Sequence, residues 1–113
     1  MKSVSYALAA GLVFAAFVAI VPHRGIADPK PTAAIVDTKE FAYTPDSVTI
    51  NVGDTVLFKN SDSVGHTVAA DDKTFDSGDM PTGATFTHTF DKPGTYVYFC
   101  AYHRFMHAEI VVK

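Results

Sequence analysis

The chain has 113 residues, nine Lys and Arg against twelve Asp and Glu, a formal net charge of −3 and one cysteine. That length holds one ordinary domain. The acidic balance excludes a nucleic-acid binder, which needs clustered positive charge to neutralise phosphates, and a single cysteine excludes an internal disulfide.

The N-terminus reads as a segment apart. Lys2 gives a short positive start, Tyr6 to Val21 is an unbroken apolar run, and Pro22 ends it. Gly25-Ile26-Ala27 then places small residues at −3 and −1 of a cleavage site after Ala27. Charged, apolar and small-residue regions in that order form a secretory signal peptide over residues 1–27, leaving a domain over 28–113. The alternative is an uncleaved anchor, although the 16 residues 6–21 fall short of the roughly 20 that span a bilayer. Cleavage removes Lys2 and Arg24, so the charge becomes seven basic minus twelve acidic, or −5. A soluble exported domain with no stable membrane association is expected. Small exported domains usually reinforce a modest core with disulfides or a metal. A lone thiol there is open to oxidation unless something occupies it.

From Ala33 onward, short apolar or alternating runs are punctuated by turn residues, with no helical period. The predicted strands are Ala33–Lys39, Ser47–Val52, Thr55–Lys59, His66–Ala70, Ala84–Phe90, Thr95–Cys100 and Ala108–Val112. Val48, Ile50 and Val52 alternate with Thr49 and Asn51, and Phe86, His88 and Phe90 with Thr85, Thr87 and Thr89, as half-buried strands do. Thr44-Pro45-Asp46, Gly53-Asp54, Asn60 to Gly65, Ser77 to Gly83 and Asp91 to Gly94 carry the turns. The expected fold is all-β, a Greek-key β-sandwich of about seven to eight strands. One helical turn between Asp71 and Asp79 is an open alternative.

The chemistry concentrates near the C-terminus, in Cys100-Ala101-Tyr102-His103-Arg104-Phe105-Met106. A thiolate, an imidazole and a thioether sit at steps of three on one loop, and His66 stands upstream at the start of another predicted strand. Two His and one Cys with a weak Met form the donor set of a blue-copper centre. Thiolate and thioether stabilise Cu(I), while imidazole serves both oxidation states.

These residues resemble the cupredoxins, and among them most of all the amicyanins, with plastocyanin and pseudoazurin further off. The likeness rests on Val52-Gly53-Asp54-Thr55-Val56, Gly65-His66-Thr67-Val68, Pro93 to Cys100 and the short Cys-x-x-His-x-x-Met loop. It implies type 1 copper held by His66, Cys100 and His103 with Met106 axial, and one-electron transfer in the periplasm. It also implies redox partners docking at the His103 edge, with a dehydrogenase donor and a c-type cytochrome acceptor, and a monomer. Two features differ. Tyr102 and Arg104 flank His103 where amicyanins have Pro, and Thr67 follows the first His where the family often has Asn, with Ala101 offering no side-chain partner.

Of the remaining candidates, His88 is expected to be a core or rim histidine, His107 to point away from the site, and Met80 to fill a gap. Tyr102, Phe105 and Met106 make an apolar surround for His103, through which electrons would leave. A copper chaperone or storage protein is the alternative function. An enzyme built on the Cys–His pair is disfavoured because Cys, His and then Met suit ligation better than acyl transfer. A multicopper oxidase is disfavoured because no His-x-His motif is present. Zinc could occupy the same donors.

Overall fold

The computed structural model describes residues 31–113, so the signal-peptide reading of residues 1–27 lies outside the described residues. Eight strands follow in order: β1 (Thr32–Lys39), β2 (Ala42–Thr44), β3 (Ser47–Ile50), β4 (Thr55–Asn60), β5 (Ala69–Ala70), β6 (Thr85–Thr89), β7 (Gly94–Phe99) and β8 (His107–Val112). They form two four-stranded sheets in the orders β2-β1-β4-β6 and β3-β8-β7-β5. The chain changes sheet at β2 to β3, β3 to β4, β4 to β5, β5 to β6 and β6 to β7. This is the expected all-β sandwich, and no helix forms among the described residues, including between Asp71 and Asp79.

Alternation decides which side chains meet between the sheets. Val36 on β1, Val56 and Phe58 on β4, Tyr98 on β7 and Ile110 on β8 lose all contact with solvent. Phe58 stands perpendicular to Tyr98 at 5.3 Å and lies 6.2 Å from Phe75 and 6.0 Å from Phe86. His88 packs 4.8 Å from Phe75 and 4.7 Å from Phe90, the rim placement expected of it, and burial lowers its pKa. Met80 is buried within the core cluster, as a gap-filling residue should be.

Two departures from the predicted strands bear on the site. The expected strand His66–Ala70 shrinks to Ala69–Ala70, with His66 in a single bridge to Met80. The reason is that its amides serve other acceptors: Thr67 N–H donates to Cys100 Sγ and Val68 N–H to Ser77 Oγ. The second departure is β2, which pairs antiparallel with β1 through Lys39↔Ala42. Glu40 and Phe41 form the two-residue connection with φ of 52° and 59°, the sign pattern of a type I′ hairpin turn.

Tyr43 and Tyr98 pack against each other at 4.8 Å and both are buried, yet their hydroxyls differ. Tyr43 donates to the Thr67 carbonyl, whereas the Tyr98 hydroxyl meets no partner among the described residues. Removing a paired buried hydroxyl costs about 1–2 kcal/mol, while removing an unpaired one relieves a desolvation penalty of similar size. Tyr43→Phe is therefore expected to lower stability in urea unfolding, and Tyr98→Phe to leave it unchanged or raise it. Equal losses in both would contradict this assignment of the hydrogen bonds.

Candidate metal centre

Two loops converge at one end of the sandwich. The first, between β4 and β5, carries His66; the second, residues 100–106 between β7 and β8, carries Cys100, His103 and Met106. The second loop is closed by its own backbone: Cys100 N–H donates to the Met106 carbonyl at 3.3 Å and Met106 N–H to the His103 carbonyl at 2.9 Å. Those bonds turn the step-of-three spacing into a single inward-facing arc. One donor atom from each of His66, Cys100 and His103 lies within 4.8 Å of the others. Cys100 Sγ is 3.7 Å from His66 Nδ1 and 3.6 Å from His103 Nδ1. Met106 is buried beside them in the core cluster.

Three of the side chains picked from the sequence, His66, Cys100 and His103, thus reach one place, and Met106 closes the same loop through its backbone. His107, exposed on β8, is not part of it, as its one-residue offset from Met106 implies.

Each donor is held by residues around it. Cys100 is wholly buried, and its sulfur accepts the Thr67 N–H at 3.4 Å, which fixes the sulfur against the first loop. His66 Nε2 lies 2.8 Å from Asp62 Oδ2. The His66 bond first, and the Phe41 N–H second, hold the Asp62 carboxyl down to about 2. An ionised carboxylate only accepts, so Nε2 donates that hydrogen bond and Nδ1 is the nitrogen left facing the sulfur. That tautomer is the one a metal requires. A Cβ at Gly65 would meet Asp79 Oδ1 at 3.2 Å, so a larger residue before His66 would push the exposed Asp79 side chain aside.

The two loops are tied in a way the sequence did not suggest. Thr67 Oγ1 accepts the Ala101 backbone N–H at 2.8 Å, so Ala101 needs no side chain to make the link. Tyr102, one of the two residues that set this loop apart from the amicyanin pattern, donates its hydroxyl across to Asp79 Oδ1 at 3.1 Å. Arg104 lays its guanidinium 5.1 Å from the centre of the Phe99 ring.

Three contributors escaped the sequence reading. Asp62 lay in a stretch read only as turn, where an acid four residues before a His is too common to signal anything. Thr67 was read only as a missing Asn. Phe41 gave no signal, because its place depends on a hairpin whose turn contains neither Gly nor Asn.

Comparison with known proteins agrees with this geometry. A family model described as copper binding proteins, plastocyanin/azurin family, matches residues 31–113. Amicyanin from Paracoccus versutus is 30% identical over 92 residues, covering 77% of this chain and 70% of that protein. Plastocyanin from Vicia faba is 32% identical over 76 residues, covering 56% and 77%. Among solved structures, a purple cupredoxin from Nitrosopumilus maritimus superposes with a TM-score of 0.68 at 29% identity, covering 71% of this chain and 99% of that one. A reduced point mutant of amicyanin gives 0.66 at 28% identity, covering 79% and 87%. With the family match spanning every described residue, the chain belongs to the plastocyanin/azurin family of copper-binding proteins, the blue-copper electron carriers of the cupredoxin fold.

Proposed function

We propose that this protein is an exported, periplasmic one-electron carrier. In this reading His66 Nδ1, Cys100 Sγ and His103 Nδ1 would be the strong copper ligands, and the Met106 thioether the weak one. The observation that supports it most is the meeting of two imidazole nitrogens and a buried sulfur within 4.8 Å. The donor set fits copper: a soft thiolate and thioether with two borderline imidazoles. Copper supplies the exchange of one electron between Cu(I) and Cu(II).

The chain's part is to keep the donors in place in both states. The backbone bridge to Met80 and the Asp62 carboxylate fix His66, the hydrogen-bonded arc fixes the other three, and the Thr67–Ala101 bond joins the two loops. A frame built before the metal arrives limits rearrangement when an electron moves.

His103 is half-buried, with Tyr102 and Phe105 exposed on either side. Electrons enter and leave through its edge, and redox proteins dock there over a small transient interface. The donor is a dehydrogenase, the acceptor a c-type cytochrome, and the carrier works as a monomer. Phe105 is 69% exposed, so Phe105→Glu changes the rim without touching the donors. It is expected to slow electron transfer to a partner by roughly tenfold, the effect of losing about 1–2 kcal/mol of docking energy. The visible spectrum should stay unchanged. Equal rates in parent and variant would place docking elsewhere.

The deciding experiment adds Cu(II) to the protein and to a Cys100→Ser control and records visible absorption. An intense thiolate-to-copper band, present only with Cys100 and bleached reversibly by a reductant, is the expected result. A colourless protein that still binds metal would replace the carrier with a storage protein or a zinc site.

A further inference from the structure

The connection between β1 and β2 carries a feature that neither the core nor the strand pairing explains. A two-residue hairpin turn with positive φ at both positions suits Asn-Gly or Gly-Gly, yet Glu40 and Phe41 occupy it. A bulky side chain in that region of backbone space is an outlier. Such residues persist where the surroundings over-determine them, and they gather at functional sites. Phe41 gains little from the core, being 42% exposed and outside the core cluster.

Its ring meets the metal centre instead. It stands perpendicular to His103 at 4.9 Å and to His66 at 5.5 Å, and lies 6.2 Å from Phe105. His66 is only 1% exposed although it belongs to a loop at the end of the sandwich.

The hairpin tip is fastened at one atom. Asp62 Oδ2 accepts the Phe41 N–H at 3.0 Å and also bonds the outer nitrogen of His66 at 2.8 Å. Asp62 is itself fixed by its N–H on Asn60 Oδ1 at 2.9 Å, by the Ser63 N–H on Oδ1 at 3.0 Å, and by Thr82 Oγ1 on its carbonyl at 2.6 Å. One carboxylate oxygen therefore sets the position of the ring that covers the site and the orientation of the imidazole beneath it.

We propose that Phe41 is a positioning residue that seals the metal centre and holds both imidazoles, and that Asp62 locks it there. The claim rests on the ligand assignment above and adds what keeps small anions out and the imidazoles still. Since the Phe41 ring packs edge-on against both His66 and His103, an anion approaching from that side must displace it to reach a metal between them. A closed form that dominates the population lowers apparent anion affinity by the fraction that is open.

The test compares the protein with Phe41→Gly and Phe41→Asn, residues that suit positive φ and so preserve the turn, and with Phe41→Tyr, which restores the ring. In the metal-free proteins, NMR should show contacts from the Phe41 ring to both imidazoles. Those imidazoles should become mobile in the Gly and Asn variants and ordered again in the Tyr variant. Asp62→Ala should lose the Phe41–His103 contact while Phe41 is still present. In the Cu(II) proteins, azide followed by visible absorption should bind about tenfold more tightly to the Gly and Asn variants than to the parent, as expected if the closed form fills about nine-tenths of the population. Imidazoles equally ordered in all variants, or azide affinities equal throughout, would overturn the proposal. Failure of the ligand assignment shows differently: the parent has no thiolate band, and the metal-free measurements still decide whether Phe41 holds the imidazoles.

Discussion

Phe58→Ala is expected to destabilise the metal-free protein by about 3–5 kcal/mol, the usual cost of a large aromatic-to-alanine cavity in a tight core. Phe58 has no solvent exposure and packs against Phe75 on the β5–β6 loop, Phe86 on β6 and Tyr98 on β7. Those neighbours hang from hydrogen-bonded strands or packed loops and cannot collapse far into the space. The described domain, residues 31–113, should have a total stability of roughly 4–12 kcal/mol on the usual per-residue scale. The substitution therefore removes a quarter or more of it, and Tm should fall by roughly 12–40 °C. Copper changes the outcome. Binding only the folded form, it returns about 4 kcal/mol at a free concentration near a thousand times Kd. Thermal melts with and without Cu(II) should show the variant largely recovered by metal. A fall in Tm of only a few degrees would mean that the core relaxes around the loss.

The fold and the donor set were legible because both are written in local pattern. Val48, Ile50 and Val52 alternate with polar residues, and the inward positions of β1, β4 and β8 follow the same period. The arc from Cys100 to Met106 needs only short-range hydrogen bonds to present its donors on one side, so its spacing could be read directly. What could not be read depends on contacts between distant segments. Nothing in Glu40-Phe41 marks a turn, so β2 went unseen, and with it the ring over the metal centre. His66–Ala70 looked like a strand because apolar runs do not record which acceptor each amide meets. The amides of Thr67 and Val68 go to a sulfur and a hydroxyl, and the ladder is lost there. The Thr67–Ala101 link was hidden for a related reason: its donor is a backbone N–H, which every residue but Pro carries.

Asn60→Ala should show how far the metal centre depends on a residue that touches none of its donors. Asn60 is wholly buried at the end of β4. Its Nδ2 donates to the Val64 carbonyl at 2.9 Å and the Met80 carbonyl at 2.8 Å, and its Oδ1 accepts the Asp62 N–H at 2.9 Å. Val64 and Met80 flank His66 from two sides, since Met80 exchanges backbone bonds with it in both directions. Alanine leaves these groups without that partner, at a net cost of about 3 kcal/mol, the order expected for breaking one such buried network. Asn60→Asp retains the Oδ1 acceptor for Asp62 but loses both donated bonds and brings a charge into a dry site. It should be the worse substitution at neutral pH and recover in acid as that carboxyl takes a proton. Losing the Asp62 anchor frees the carboxylate that orients His66, so copper affinity should fall by about tenfold, toward the lower range seen for residues that support a ligand. Urea unfolding of the metal-free variants and competition for Cu(I) with a chelator measure the two effects separately. A stability loss with unchanged affinity would mean that the bridge to Met80 holds His66 without help from Asn60. Losses in both would mean that its orientation passes from β4 through Asn60 and Asp62 to the imidazole.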